Sequence, residues 1–185
     1  MKQDNHGKVF QKYKTQLAKE FFEIEENDQL TDDQKVNKMI TNTSVICAAV
    51  AVQPIPFADI FILTPIQAFM GYKIGLIRKV DLKEEGSMEV LKYVGGVVGA
   101  GYAAQQTALG LYKIGLPGIG GLMAIPLVGG LTFGIGKAMD LYFRKAANGE
   151  VASKEEMLSA FHEGKKKENQ ISRHDVKKKV NQLNE

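Results

Sequence analysis

A chain of 185 residues has room for one domain with tails, and its single cysteine excludes an internal disulfide framework and fits a reducing compartment. A net charge of +3 is too small to point to a nucleic-acid partner. The mean hydropathy of −0.16 averages polar ends with a strongly apolar middle.

The opening Met1-Lys2-Gln3-Asp4-Asn5-His6 has no apolar run behind it, so no secretory signal peptide is expected. Val9, Phe10, Tyr13, Leu17, Phe21 and Ile24 recur at helical spacing and predict an amphipathic helix over about 5–26. Thr31-Asp32-Asp33-Gln34 is a capping box, in which threonine and glutamine side chains satisfy each other's free backbone amides. The helix it opens must stop near Gln53, because Pro54 disfavours helix in the residue before it. Pro54-Ile55-Pro56 reads as a rigid turn, followed by an apolar helix over about 57–80 that Pro65 should kink. Residues 81–86 read as a polar connection, and Ser87 as the cap of a helix over about 88–113. Gly115-Leu116-Pro117-Gly118 is the next turn, and a helix over about 119–147, with Pro126 inside, stops at Asn148-Gly149. Ser153-Lys154-Glu155-Glu156 is a second capping box and opens a polar C-terminal helix. No strand alternation is apparent.

The chain thus divides into an amphipathic helix (1–30), an apolar helical-hairpin domain (31–148) and a polar, partly basic helix or tail (149–185). Pro56, Pro65 and Gly75 repeat at Pro117, Pro126 and Gly136 with a constant offset of sixty-one residues. The expected fold is all-α: two tandem apolar helical hairpins with proline-kinked helices, flanked by polar terminal helices.

Between Lys92 and Lys137 the only charge is Lys113, which splits the interval into uncharged runs of twenty and twenty-three residues. About twenty helical residues cover the hydrocarbon thickness of a bilayer, so the two runs predict a transmembrane hairpin. Arg78, Lys79 and Lys92 precede it, and Lys137, Arg144 and Lys145 follow it. The positive-inside rule then puts both termini in the cytoplasm. Small-xxx-small pairs, Gly71 with Gly75, Gly95 with Gly99 and Gly130 with Gly134, suit close helix packing in lipid. On that reading leucine at Gly95 or Gly99 disrupts packing, and leucine at Gly149 does not.

Gly95-Gly96-Val97-Val98-Gly99-Ala100-Gly101 is not a phosphate cradle, because it follows no strand and has no lysine before Lys113. Ala138, after Gly136-Lys137, cannot ligate magnesium. Asp59, the lone charge between Thr41 and Tyr72, reads as the cap of the helix after Pro56, where a carboxylate meets free amides and the positive dipole end. Gln67, Gln105 and Gln106 could bond between helices or face solvent at a crossing. Cys47 reads as a small core residue. His6, His162 and His174 lie in polar terminal segments without metal-pair spacing. No catalytic constellation, cofactor site or metal site is apparent. The lysines at 165–167 and 177–179 form either a solvated face or a surface that attracts anionic lipid.

Gln53-Pro54-Ile55-Pro56-Phe57-Ala58-Asp59, Pro65-Ile66-Gln67-Ala68-Phe69-Met70 and Leu116-Pro117-Gly118-Ile119-Gly120 resemble a bacterial family of unknown function. That family includes the YcjF-like inner-membrane proteins and modules appended to Era-like small GTPases, and the likeness covers about residues 34–147. The resemblance implies helical hairpins, membrane association and a neighbouring GTPase, which here would act in trans. Two expectations follow. One is a non-enzymatic protein at the bacterial inner membrane or its cytoplasmic face, in contact with membrane lipid, with self-association in view and no nucleic acid, that anchors or regulates a GTPase or stress system. The other is a soluble helical bundle that binds a lipid or apolar ligand between its hairpins.

Overall fold

A computed structural model describes residues 3–53, 62–80, 82, 84–98, 120–166 and 171–184. Seven helices and no strand occupy them: α1 (Gln3–Glu25), α2 (Asp32–Ala51), α3 (Thr64–Ile77), α4 (Glu84–Val98), α5 (Gly120–Ala147), α6 (Lys154–Lys165) and α7 (Arg173–Asn184).

Local chemistry accounts for most of the boundaries. α1 buries the stripe Tyr13, Leu17, Phe21 and Ile24. Both capping boxes form: Thr31 and Gln34 bond reciprocally at 2.9 and 3.3 Å, and Ser153 and Glu156 at 2.9 and 3.1 Å. At the end of α3, Val80 N–H donates to the Gly75 carbonyl (3.0 Å) and Lys79 N–H to that of Leu76 (3.0 Å). This reversal places Lys79 at φ 60°, a conformation usually left to glycine. α5 ends the same way on Gly149 (φ 71°), with Glu150 N–H on the Lys145 carbonyl at 2.9 Å.

Three expectations change. Pro65 lies in the first turn of α3 rather than in its interior. The earlier part of the expected 57–80 helix falls outside the described residues, as do 99–113 of the fourth expected element. Ser87 does not cap α4, which already begins at Glu84; its side chain is buried. The polar C-terminal region is two helices rather than one.

α5 is the centre of the packing and touches α2, α3, α4 and α6. It continues through Pro126. α1 lies on α2 and α3, α7 on α2, and α6 on α5 and α4. The core is one cluster that draws from all seven helices, from Tyr13 and Leu17 to Ile171 and Val176 at the C-terminal end.

Close approach at glycine organises these contacts. A Cβ on Gly136 would stand 2.8 Å from Ile40 of α2. One on Gly134 would stand 2.7 Å from the Phe161 carbonyl oxygen, and one on Gly164 would stand 2.9 Å from the Gly134 Cα. Gly71 and Gly75 of α3 lie under Met139 and Phe143 of α5, and Gly129 under Ile171. Gly130 is buried in α5. A Cβ on Gly95 would meet nothing among the described residues within 4 Å. Gly99 lies outside them, with Pro54, Pro56, Asp59, Pro117 and Gly118.

Among the described residues no helix is long and apolar enough to cross a membrane. That finding overturns the expected transmembrane hairpin, the membrane-anchor function and the inner-membrane location. The physical reason lies in what covers the apolar residues. The second uncharged run enters α5, where Val128, Leu131, Phe133 and Ile135 are at most 3% exposed against neighbouring helices. The first run enters α4, which buries Val90, Leu91 and Val94 on one side and leaves Tyr93 45% exposed on another. Residues 99–119, which hold the turn and the rest of both runs, lie outside the described residues. The basic flanks have protein partners as well. Arg78 and Arg144 reach Asp140, Lys92 reaches Glu89, Lys145 reaches Glu150 and Glu156, and Lys137 donates to Asn37.

The glycine geometry reverses one mutational expectation. Gly149→Leu places a branched side chain at positive φ and should cost about 1–2 kcal/mol, whereas Gly95→Leu should stay within about 0.5 kcal/mol of the wild type. Gly134→Ala should cost about 1–3 kcal/mol through forced separation of α5 and α6. Urea unfolding of the three variants measures all of these.

Candidate ligand groove

Three polar or open features stand out against the core. The first is a groove of about 560 Å³ where α1 crosses α3 and α4. Phe10 and Lys14 of α1, Pro65, Ala68 and Phe69 of α3, and Met88 and Glu89 of α4 line it. α1 runs its apolar stripe down onto α3, so Phe21 stacks on Phe69 with centroids 5.7 Å apart and planes 12° from parallel. Phe69 is 6% exposed and forms part of the floor. Lys14 sits one position beyond Tyr13 of the stripe, and its Nζ stands over the Phe69 ring, 5.2 Å from the centroid. An ammonium there is attracted by the electron-rich face of the ring. Ala68 supplies the depth, since a larger residue at that point of α3 would fill the groove. Glu89 at the rim is paired with Lys92 at 2.7 Å.

The second feature is a polar groove of about 500 Å³ between α1, α2 and α7. Glu20 is its hub: it pairs with Lys179 of α7 and accepts from Asn42 at 3.1 Å and Gln16 at 3.4 Å. The Lys179 bond ties a helix with few apolar residues onto the bundle, and three donors converge on the Glu20 carboxylate.

The third is a charge network at the opposite end of α2. Arg78 donates from Nε to Asp140 Oδ1 at 2.7 Å and from a terminal nitrogen to Asp33 Oδ1 at 2.6 Å. Asp140 is 4% exposed, and its other oxygen lies 3.5 Å from Arg144. Burial opposes the Arg78 charge, but the bonds to Asp140 and Asp33 outweigh it and raise the guanidinium pKa. The same Arg78 bond holds the Asp33 carboxyl below its ordinary value. By linkage, what Asp33 adds to stability is present above the usual carboxylate range and is lost as pH falls through its lowered pKa.

Inside the bundle, Gln67 of α3 donates to Thr132 Oγ1 of α5 at 3.1 Å, so the glutamine bonds between helices. Thr132 also bonds the Cys47 thiol, whose pKa burial pushes up to about 12. Burial likewise raises the Tyr13 pKa, against the bond that its hydroxyl accepts from Gln53 at 2.8 Å. Among the described residues no cluster of three His, Cys, Asp or Glu side chains could hold a metal ion. His174 is largely exposed beside Asp175, and His162 stands edge-on to Phe161.

Of the residues singled out by spacing, Pro65 lines the groove, while Gly71, Gly75, Gly95, Gly130 and Gly134 are not among its described lining residues. Lys14 and Phe69 are fifty-five positions apart, and Lys14 belongs to no motif, whereas Phe69 lies in one of the stretches that carry the family resemblance. The signal that could have flagged Lys14 is slight: a cation beside a helical stripe whose residues Tyr13, Leu17, Phe21 and Ile24 turn inward. Asp140 follows an apolar run as one charge among several and carries no mark of burial.

No protein-family model, no curated protein and no solved structure matches the chain. The expectations attached to the family resemblance, a GTPase in trans among them, therefore rest on the quoted motifs alone.

The network at Asp140 makes a sharp prediction. Arg78→Met leaves a buried carboxylate short of its main partner and should cost about 3 kcal/mol, while Arg78→Met combined with Asp140→Leu should recover most of that loss. A double-mutant cycle in urea reads the coupling directly.

Proposed function

We propose that this chain is a non-catalytic helical binding module that takes a lipid-like apolar ligand in the groove between α1, α3 and α4. The observation that carries the reading is the groove itself, about 560 Å³ and floored by Phe10, Pro65, Ala68, Phe69 and Met88. Ligand sites are typically concavities of this size, mostly apolar, with a small number of placed polar groups. In the tandem-hairpin organisation, α3 closes the first proline-containing hairpin and α4 opens the second, so the ligand lies between the hairpins with α1 across it. Packing favours this place over the rest of the molecule. The core around α5 is filled by Met139, Phe143, Ile40 and Phe161, which occupy the spaces that its glycines and those of α3 leave. The polar groove at Glu20 is spanned by side-chain bonds.

Binding of Nile red, a neutral apolar dye that brightens when dehydrated, tests the reading. The wild-type chain should give saturable enhancement at a stoichiometry of one. Ala68→Phe, which fills the groove, and Met88→Gln, which makes its wall polar, should each weaken binding by about tenfold or more; thermal unfolding checks that both variants remain folded. Equal binding by folded variants and wild type, or no saturable signal from the wild type, would exclude the groove as the site.

A further inference from the structure

We propose that Met88 is an oxidation switch of this groove: oxygen transfer from a hydroperoxide to its thioether sulfur makes the wall polar and releases the apolar ligand. The proposal rests on the apolar-ligand reading above and adds how that site is controlled. Among the methionines with described side chains, burial draws a clear division. Met39, Met70, Met139 and Met157 are enclosed at 0% exposure. Met88 is half-buried, lies on α4 between the enclosed Ser87 and the exposed Glu89, and lines the groove. Oxidation of a thioether follows its exposure to the oxidant, so Met88 reacts first of these five. Cys47 does not compete. It is wholly buried and held as the thiol, and peroxide attacks thiolates.

The step is a two-electron oxygen transfer. A sulfur lone pair attacks one oxygen of hydrogen peroxide, the O–O bond breaks, an S–O bond forms and water leaves. Sulfur is oxidised, the peroxide is reduced, and a flexible apolar side chain becomes a polar one. In the empty groove the new oxygen stays hydrated, because the Met88 side chain already borders water, and the bundle keeps its fold. An apolar ligand strips that water and returns no donor, and burial of an unbonded polar oxygen is costly. The penalty therefore falls on the complex rather than on the fold. It is also reversible: a methionine sulfoxide reductase regenerates the thioether, with the oxygen lost as water and a dithiol oxidised to its disulfide.

Treatment of the whole chain with hydrogen peroxide, followed by site-resolved mass spectrometry and Nile red titration, tests the proposal. Met88 should oxidise about tenfold faster or more than Met39, Met70, Met139 and Met157, and saturating Nile red should slow its reaction. Dye affinity should fall about tenfold in step with the Met88 sulfoxide, while the helical circular dichroism signal holds. Return of the thioether by reductases for both sulfoxide epimers, with dithiothreitol as the dithiol, should restore the affinity. In Met88→Leu, whatever its starting affinity, peroxide should leave dye binding where it began. Reaction of Met88 no faster than of the enclosed four, full Met88 oxidation with affinity intact, an equal loss in Met88→Leu, or a loss that persists once the thioether is restored overturns the switch and leaves the groove reading standing. Absence of saturable Nile red binding before oxidation removes both.

Discussion

The need to enclose α5 governs this molecule. A helix whose apolar residues cover nearly its whole circumference has no face to offer to water. From Val128 to Gly136 every residue of α5 is buried, and four other helices are arranged to achieve this. Enclosure from several directions needs short interaxial distances. Glycines on different sides of α5 meet that need: Gly136 toward α2, Gly134 toward α6 and Gly129 toward Ile171 beside α7. The cost of glycine in a helix interior, about 1 kcal/mol each relative to alanine, is offset by the side chains that the gaps admit. The outer helices then need little apolar surface of their own. α7 is held by Ile171, Val176 and the bonds around Glu20.

The all-helical class, both capping boxes, the stop at Gly149 and the amphipathic N-terminal helix were legible in the sequence because each is written in neighbouring residues. A threonine and a glutamine three positions apart carry their own geometry. The environment of the apolar runs was not legible in the same way. A twenty-residue uncharged stretch is equally suited to lipid and to a jacket of other helices, and only long-range packing separates the two. Here the separating residues are Ile40, Phe161 and Ile171, which fill glycine gaps on α5 from distant points of the chain. The basic residues misled for the same reason. Arg78 and Arg144 look like charges at a membrane face until Asp140, sixty-two positions from Arg78, is placed between them.

The groove shows the same division. Its walls come from α1, α3 and α4, and no local pattern announces that Lys14, Ala68 and Met88 will face one space. What the sequence carried was the helical stripe of α1, which dictates that α1 must lie on something apolar. It did not carry the angle at which α1 crosses α3. That angle decides whether Phe10 seals against Pro65 or leaves an opening, and it is set by the stacking of Phe21 on Phe69 and by the Glu25–Lys73 pair farther along the same two helices.

The thiol at the centre of the bundle has a use of its own. Cys47 is wholly buried, bonded to Thr132 and held as the protonated thiol near neutral pH. Alkylating reagents attack the thiolate, and this sulfur is neither ionised nor reachable while α2 and α5 stay together. It is also the single cysteine in the chain. Modification of the intact protein therefore reports separation of the central helix pair, with one irreversible mark per molecule, without any engineered probe. Loops may fray and α7 may lift without leaving a trace on that clock; it advances when the enclosure of α5 itself gives way.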